Sequence, residues 1–152
     1  MITTKRLFLI PWHASDANEL YELAKDSEIG KDMRTGHLIG SMSLDFEEIP
    51  DPKDSSKQLH QAEIGYWIGR PYWGQGFASE GAQALAAYAF EEHGVDQVII
   101  RYLERNKKSA SVARKCGFTE MGIITDFNKY TGKEEQFGIS MLTKADWERV
   151  QK

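Results

Sequence analysis

Apolar and polar residues alternate along several short segments of this chain, as they do in half-buried β-strands. The clearest segment is 97–103, where Val98, Ile100 and Tyr102 alternate with the residues between them. The same period predicts further strands at 4–10, 37–46, 61–68, 118–127 and 136–142. The last two are predicted to form a closing hairpin around 130–133.

Other segments carry apolar residues at helical spacing. A helix is predicted from Ser79 to the His93-Gly94 stop, because its apolar residues recur at i, i+3, i+4, i+7 and i+8. Shorter helices are predicted at 17–24 and 106–116, and one or two helical turns after Thr143. This order of elements predicts an α+β fold in three layers.

A polar stretch at 47–58 interrupts the pattern. It contains Pro50, Pro52, Ser55 and Ser56. Residues of these types favour turns and loops, so the stretch is expected to be a mobile loop or a plain hairpin connection.

A glycine-rich turn lies between the strand at 61–68 and the helix that starts at Ser79. Gly74 and Gly76 allow the backbone to approach a bulky anion closely. The first N–H groups of a helix have no partner within the helix, and the helix dipole places partial positive charge there. The turn is therefore interpreted as a cradle for a pyrophosphate.

Two common nucleotide motifs do not fit this cradle. A P-loop requires Gly-Lys-Ser/Thr after the glycines, whereas the chain has Phe77-Ala78-Ser79. A dinucleotide-binding fold requires a third glycine near Ser79. A second segment, which starts at Asn106 and ends at Phe118, strengthens the interpretation of the turn as a pyrophosphate cradle.

Four motifs in this order resemble the GNAT superfamily of acetyl-coenzyme A (acetyl-CoA) dependent N-acetyltransferases. The branch they resemble most is the RimJ/RimL type, which is named for ribosomal-protein N-terminal acetyltransferases. The motifs are Glu-Ile-Gly-Tyr-Trp-Ile at 63–68, Trp-Gly-x-Gly-Phe-Ala at 73–78, Asn-x-x-Ser at 106–109 and Lys-x-Gly-Phe at 115–118. The resemblance extends over nearly the whole chain, from Thr4 to Trp147.

The resemblance implies one domain over 1–152. Its central sheet is expected to be mixed and mostly antiparallel, with helices on both faces and a splayed pair of strands at 63–68 and 97–103. The family normally has a second helix and another strand where this chain has only 28–36. That region is therefore natively short, or a segment is missing from the sequence.

The resemblance also implies how acetyl-CoA binds. Its pantetheine arm is expected between the splayed strands, and its pyrophosphate on the glycine-rich turn. Asn106 is expected to bind the arm, and Ser109 to lie close to the thiol. The expected contacts are Trp67, Ile68, Gly69, Trp73, Gly74, Gln75, Gly76, Phe77, Ala78, Ser79, Asn106 and Ser109.

Acetyl transfer to an amine requires a group that accepts the amine's proton. Glu63 is the first candidate, at a position where many GNAT enzymes carry a carboxylate; the alternative is a solvated strand-edge glutamate. Glu104 and Asp126 are weaker candidates. In some relatives a glutamate near the position of Asn128 acts instead, but an asparagine cannot accept the proton.

Many GNAT enzymes place a tyrosine acid four residues before the glycine of the Gly-Phe pair. Ala113 stands there, which leaves Ser109 or water near the leaving thiolate. Ser109 is alternatively a hydroxyl that only touches the cofactor. Cys116 is expected to pack in the core, because nothing suggests a histidine to activate it.

Composition limits the other function classes. The net charge of -4 argues against a general nucleic-acid binder, and no apolar run is long enough to span a membrane. One cysteine fits a reducing cytoplasm, which is the expected location. The four histidines lack metal-ligand spacing, so no metal is expected. Dimers are common in the branch, which leaves a homodimer open.

The leading hypothesis is an acetyl-CoA dependent N-acetyltransferase that acts on a primary amine. Its acceptor would be a protein N-terminus, such as that of a ribosomal protein, or a small-molecule amine. The alternative is a non-catalytic acyl-CoA binding module that retains the cradle. A third hypothesis, a nucleoside-triphosphate binder, predicts protection by ATP and magnesium but not by coenzyme A.

Overall fold

A computed structural model describes residues 2–9, 39–69, 72–128 and 131–151. The strands of this part of the chain are β1 (Ile2–Thr3), β2 (Phe8–Leu9), β3 (Gly40–Asp51), β4 (Asp54–Ile68), β5 (Gln97–Leu103), β6 (Thr119–Asn128) and β7 (Lys133–Thr143). Its helices are α1 (Phe77–His93), α2 (Lys107–Lys115) and α3 (Lys144–Gln151).

Five strands form one sheet in the order β3-β4-β5-β7-β6, and β1 and β2 form a separate pair. Strands β4 and β5 are parallel, and the other neighbours in the sheet are antiparallel. The predicted α+β class with a mixed, mostly antiparallel sheet is therefore confirmed.

The parallel pair separates along its length. Pairing runs from Gln61 opposite Gln97 to Glu63 opposite Ile99, and it ends there. Beyond that point, strand β5 remains paired with β7 as far as Leu103. The space between 64–68 of β4 and 100–103 of β5 is called the slot below, and it confirms the predicted splayed pair.

The main core lies between the sheet and the three described helices. Ala62, Ile64, Val98 and Ile100 point from the central strands towards α1 and α2, and all are almost completely buried. Helix α3 joins this layer because Trp147 stacks on Phe90, with 4.9 Å between ring centroids. These helices cover one face of the sheet.

Local signals explain where the helices begin and end. Gly94 follows α1 and donates its N–H to Ala89. The side chain of Asn106 accepts the Ser109 N–H at 3.1 Å and so caps α2. Thr143 Oγ1 accepts the Asp146 N–H at 3.2 Å, as predicted, and the helix that follows is longer than expected.

The strand predicted at 4–10 is present only at 8–9 among the described residues. This short strand pairs with another at 2–3, with Ile2 opposite Leu9 and Thr3 opposite Phe8. The chain reverses because Thr4 Oγ1 accepts the Leu7 N–H at 3.0 Å and Thr4 N–H binds the Leu7 carbonyl at 3.0 Å. A threonine hydroxyl that bonds nearby backbone competes with extended structure.

Of the two alternatives for 47–58, the mobile loop is wrong and the plain hairpin connection is confirmed. Strands β3 and β4 remain paired almost to the turn, with an irregularity between Pro50 and Asp51. The Asp51 carboxylate accepts the Lys53 N–H at 2.8 Å and closes the turn. Pro50 is tolerated because β3 lies at the edge of the sheet.

Several predictions fall outside the described residues. These are the helix at 17–24 and the segment at 28–36. The single domain over 1–152 therefore remains a prediction. Within the described ranges, no helix has the length and apolar character needed to cross a membrane.

Candidate active site

The glycine-rich turn has the backbone shape that a phosphate cradle requires. Gly74 has φ 75° and Gly76 has φ 81°, a left-handed region that other residues rarely adopt. The Glu80 N–H donates to the Gly76 carbonyl at 3.0 Å and begins the bonds of helix α1. The N–H groups of 77–79 therefore lie in the first turn, where the helix itself supplies no acceptor.

Two cations flank this turn. The guanidinium carbon of Arg6 lies 4.2 Å from the ring centroid of Phe77, and Lys108 Nζ lies 4.3 Å from that of Trp73. A Cβ atom at Gly76 would lie 3.4 Å from an Arg6 terminal nitrogen. The first helical turn is thus bordered by positive charge from β1–β2 and from α2.

Glu80 holds Arg6 in this place. Arg6 Nε and backbone N–H donate to the Glu80 carboxylate at 2.8 and 2.9 Å, and the Thr4 hydroxyl donates to the same group. Burial raises the pKa of Glu80, but these hydrogen bonds lower it by more, so the net pKa lies below the usual 4.5. The short β1–β2 hairpin is thereby anchored to the start of α1.

The end of β4 leads into the cradle. The Trp73 indole N–H donates to the Ile68 carbonyl at 2.7 Å, which ties the turn to the strand. The Gly69 N–H donates to Ile39 at 2.8 Å. Gly69 was predicted to contact the cofactor, but its N–H is already engaged in this arrangement.

Ser109 lies beside the slot, and two hydrogen bonds fix its position. Asn106 binds its backbone N–H, and the Tyr66 hydroxyl donates to its Oγ at 3.0 Å. Tyr66 extends from β4 beyond the point where β4 and β5 separate. Burial raises the pKa of Tyr66, so its phenol keeps the proton that it donates to Ser109.

Glu63 lies where β4 and β5 separate. Because Ile64 faces the helices, the alternation of the strand places Glu63 on the opposite face of the sheet. Arg101 Nε and Nη2 approach the Glu63 carboxylate at 3.0 and 2.9 Å, and Arg101 Nη1 lies 3.6 Å from Asp126. The Glu63 side chain is 25% exposed to solvent.

Cys116 is not suited to nucleophilic chemistry. Burial raises the pKa of its thiol to about 11, and its Sγ donates to the Ser79 carbonyl at 3.5 Å. This environment matches the predicted packing role. In the described part of the chain, no three His, Cys, Asp or Glu side chains group as metal ligands.

The structure brings the glycine turn, the end of β4 and the start of α2 together around the slot. Sequence reasoning missed Arg6 and Tyr66. The sequence signal for Tyr66 was present, because strand alternation places it on the same face as Ile64. No local signal links Arg6 to Gly76, which lies seventy positions away.

The order and pairing of these elements are those of a GNAT-type acetyltransferase domain. A family model described as an acetyltransferase (GNAT) domain matches residues 31–119. A GNAT-family acetyltransferase of known structure from Bacillus anthracis superposes with a TM-score of 0.74, at 19% identity, over 95% of this chain and 98% of that one. The chain belongs to the GNAT acetyltransferase family.

Two relatives illustrate the diversity of this family. The FsC-acetyl coenzyme A-N(2)-transacetylase of Aspergillus fumigatus is 38% identical over 64% of this chain and 42% of its own length. The [ribosomal protein uS5]-alanine N-acetyltransferase of Escherichia coli is 24% identical over 93% of this chain and 78% of its own length. The chain spans less than two thirds of the Aspergillus relative, and 57% of a Bacillus subtilis relative. The predicted resemblance to this family is confirmed.

Proposed function

We propose that this protein transfers the acetyl group of acetyl-CoA to a primary amine by direct attack in a ternary complex. The observation that carries the proposal is the continuity of the slot with the cradle. The slot runs along β4 to Ile68, and the Trp73 indole joins Ile68 to the glycine turn. An extended thioester carrier with a diphosphate needs this combination of features.

The residues present fit such a carrier. The first-turn amides of α1 are suited to the diphosphate, and Arg6 and Lys108 add positive charge beside them. The edge of β4 that faces the slot is suited to an extended arm that pairs as an added strand. The Asn106 side chain still has amide hydrogens to donate, because its oxygen accepts the Ser109 N–H.

The reaction forms one bond and breaks another. The neutral amine nitrogen attacks the thioester carbonyl, the C–N bond forms, and the C–S bond breaks with its electron pair left on sulfur. The nitrogen loses one proton, and Glu63 accepts it directly or through water. Ser109 donates a hydrogen bond to the leaving sulfur, and a backbone N–H of β4 stabilises the oxyanion.

The charge of the surrounding sheet favours a cationic acceptor. Register places Asp45 opposite Glu63 on β3, and Asp126 approaches the same face through Arg101. Carboxylates on this face attract an ammonium group before it loses its proton. The ribosomal-protein relative supports a protein N-terminus as the acceptor, and a small amine uses the same chemistry.

A thiol-release screen tests the proposal. Acetyl-CoA is supplied with peptides carrying free N-termini of ribosomal proteins, with polyamines and with amine-bearing antibiotics. Release of coenzyme A is expected with at least one acceptor, and the same peptide acetylated at its N-terminus is the control. Binding of acetyl-CoA without release for any acceptor would support the non-catalytic module instead. Absence of binding would contradict the cradle.

A further inference from the structure

We infer that Tyr66 is a positioning residue that fixes the Ser109 hydroxyl at the slot. The inference rests on the proposed function, because it concerns the leaving thiolate of the same reaction. Its basis is a single hydrogen bond of 3.0 Å, in which the Tyr66 hydroxyl donates to Ser109 Oγ across the space between β4 and α2.

The direction of this bond leaves the serine proton available. A serine hydroxyl has one hydrogen to donate and two lone pairs that accept. Because the Tyr66 hydroxyl binds one lone pair of Ser109 Oγ, the hydroxyl hydrogen of Ser109 can point to another acceptor. A sulfur that gains negative charge as the C–S bond breaks is such an acceptor.

Both the backbone and the side chain of Ser109 are held by hydrogen bonds. Its backbone N–H is bound by the Asn106 side chain, and its hydroxyl oxygen by Tyr66. A serine on the first turn of a helix otherwise samples several χ1 rotamers. The two bonds therefore select one side-chain orientation before the substrate arrives, which is the form of preorganisation that electrostatic catalysis uses.

Tyr66 is suited to remain a donor. It is partly buried against the main core, and this burial raises its pKa, so the phenol stays protonated at neutral pH. A partly buried hydroxyl is costly without a partner, which ties Tyr66 to Ser109.

Helix α2 itself supplies no phenol near Ser109. Ala113 lies one turn further along the same face of the helix and is fully buried in the core. This is the position at which the family resemblance leads one to expect a tyrosine. The structure therefore places a phenol near this helix from strand β4 instead, and directs it at the serine rather than at the substrate.

The test compares two tyrosines in matched settings. Tyr66→Phe removes the hydroxyl that binds Ser109, and Tyr88→Phe removes a hydroxyl that lies 3.2 Å from His93 Nε2 near the end of α1. With the best acceptor from the screen, kcat of Tyr66→Phe should fall about 3- to 10-fold, and its KM for acetyl-CoA should change less than about 2-fold. Tyr88→Phe should retain kcat, and melting temperatures establish that both variants fold.

A double variant separates positioning from a general structural role. If Tyr66 acts through Ser109, Tyr66→Phe combined with Ser109→Ala should be no slower than Ser109→Ala alone. An unchanged kcat in Tyr66→Phe or in Ser109→Ala would overturn the inference, as would losses that multiply in the double variant. A wild-type protein that releases no thiol with any acceptor would overturn the proposed function itself.

Discussion

The Nε atom of Arg6 lies 2.8 Å from a carboxylate oxygen of Glu80, and this ion pair sets the position of a cation at the start of α1. Arg6 is near the N-terminus of the chain, and Glu80 is in the first turn of the helix. The pair therefore couples the β1–β2 hairpin to the proposed diphosphate site. It makes both cofactor binding and stability dependent on residues outside the glycine turn.

Arg6→Ala should weaken binding of coenzyme A. Loss of one charge-assisted contact at a partly exposed site corresponds to a roughly 5- to 10-fold rise in Kd by calorimetry. The effect should shrink at high salt, because screening weakens such contacts. Arg149→Ala, which breaks a pair within α3, is the control and should leave Kd unchanged. Equal affinities for Arg6→Ala and wild type would remove Arg6 from the site.

Glu80→Gln should destabilise the protein at neutral pH by about 1–3 kcal/mol, because hydrogen bonds to a charged group are lost. The folded pKa of Glu80 is below its unfolded value, so the unfolded state binds more protons and this stabilisation disappears as the pH falls through the acid range. Urea unfolding at several pH values measures the difference. Glu148→Gln, on the exposed surface of α3, should show no comparable difference at any pH. A gap between wild type and Glu80→Gln that persists in acid would contradict the assignment.

Gly76→Asp should weaken coenzyme A binding more than about tenfold, because it places a carboxylate against the diphosphate. Gly132→Asp provides the matched control, since Gly132 also has a positive φ, 71°, but lies in an open turn. Both variants carry a backbone cost of about 1–2 kcal/mol. Calorimetry should therefore separate them although their melting temperatures are similar. Equal affinities for the two variants would show that the diphosphate binds elsewhere.

Glu63→Gln should lower kcat at least about tenfold, as expected for loss of a general base, with little change in affinity for coenzyme A. Glu135→Gln is a suitable control because Glu135, which lies in β7 of the same sheet, also pairs with an arginine, Arg105. A kcat for Glu63→Gln that matches this control would assign Glu63 to the ion pair with Arg101 alone.

Cys116 should react slowly in the folded protein. Its pKa of about 11 leaves roughly a hundredfold less thiolate at pH 8 than the usual value of 9.0 would. Mass spectrometry of iodoacetamide labelling, with and without urea, measures the ratio. Labelling at the same rate in both conditions would mean that the thiol is exposed.

The sequence predicted elements well where a local pattern decides the structure. Alternation predicted a strand at 97–103, as observed, and the helix predicted at 106–116 is observed at Lys107–Lys115. The prediction was only partly correct at 4–10, and at 47–58 it left a mobile loop and a hairpin as alternatives, of which the hairpin is observed. At 4–7, a distant glutamate and a threonine hydroxyl turn the chain before the strand at 8–9. At 47–58, pairing with a neighbour extends strands through polar residues, which local composition does not register.

The sequence by itself determined the family, the order of the elements and the location of the glycine turn, because these depend on motifs and on periods of two and 3.6 residues. The tertiary structure alone decided which side chains meet: Arg6 with Phe77 and Glu80, Tyr66 with Ser109, and Glu63 with Arg101. These pairs are separated by 38 or more positions along the chain. Only the packing of the sheet and helices brings them within a few ångströms of one another.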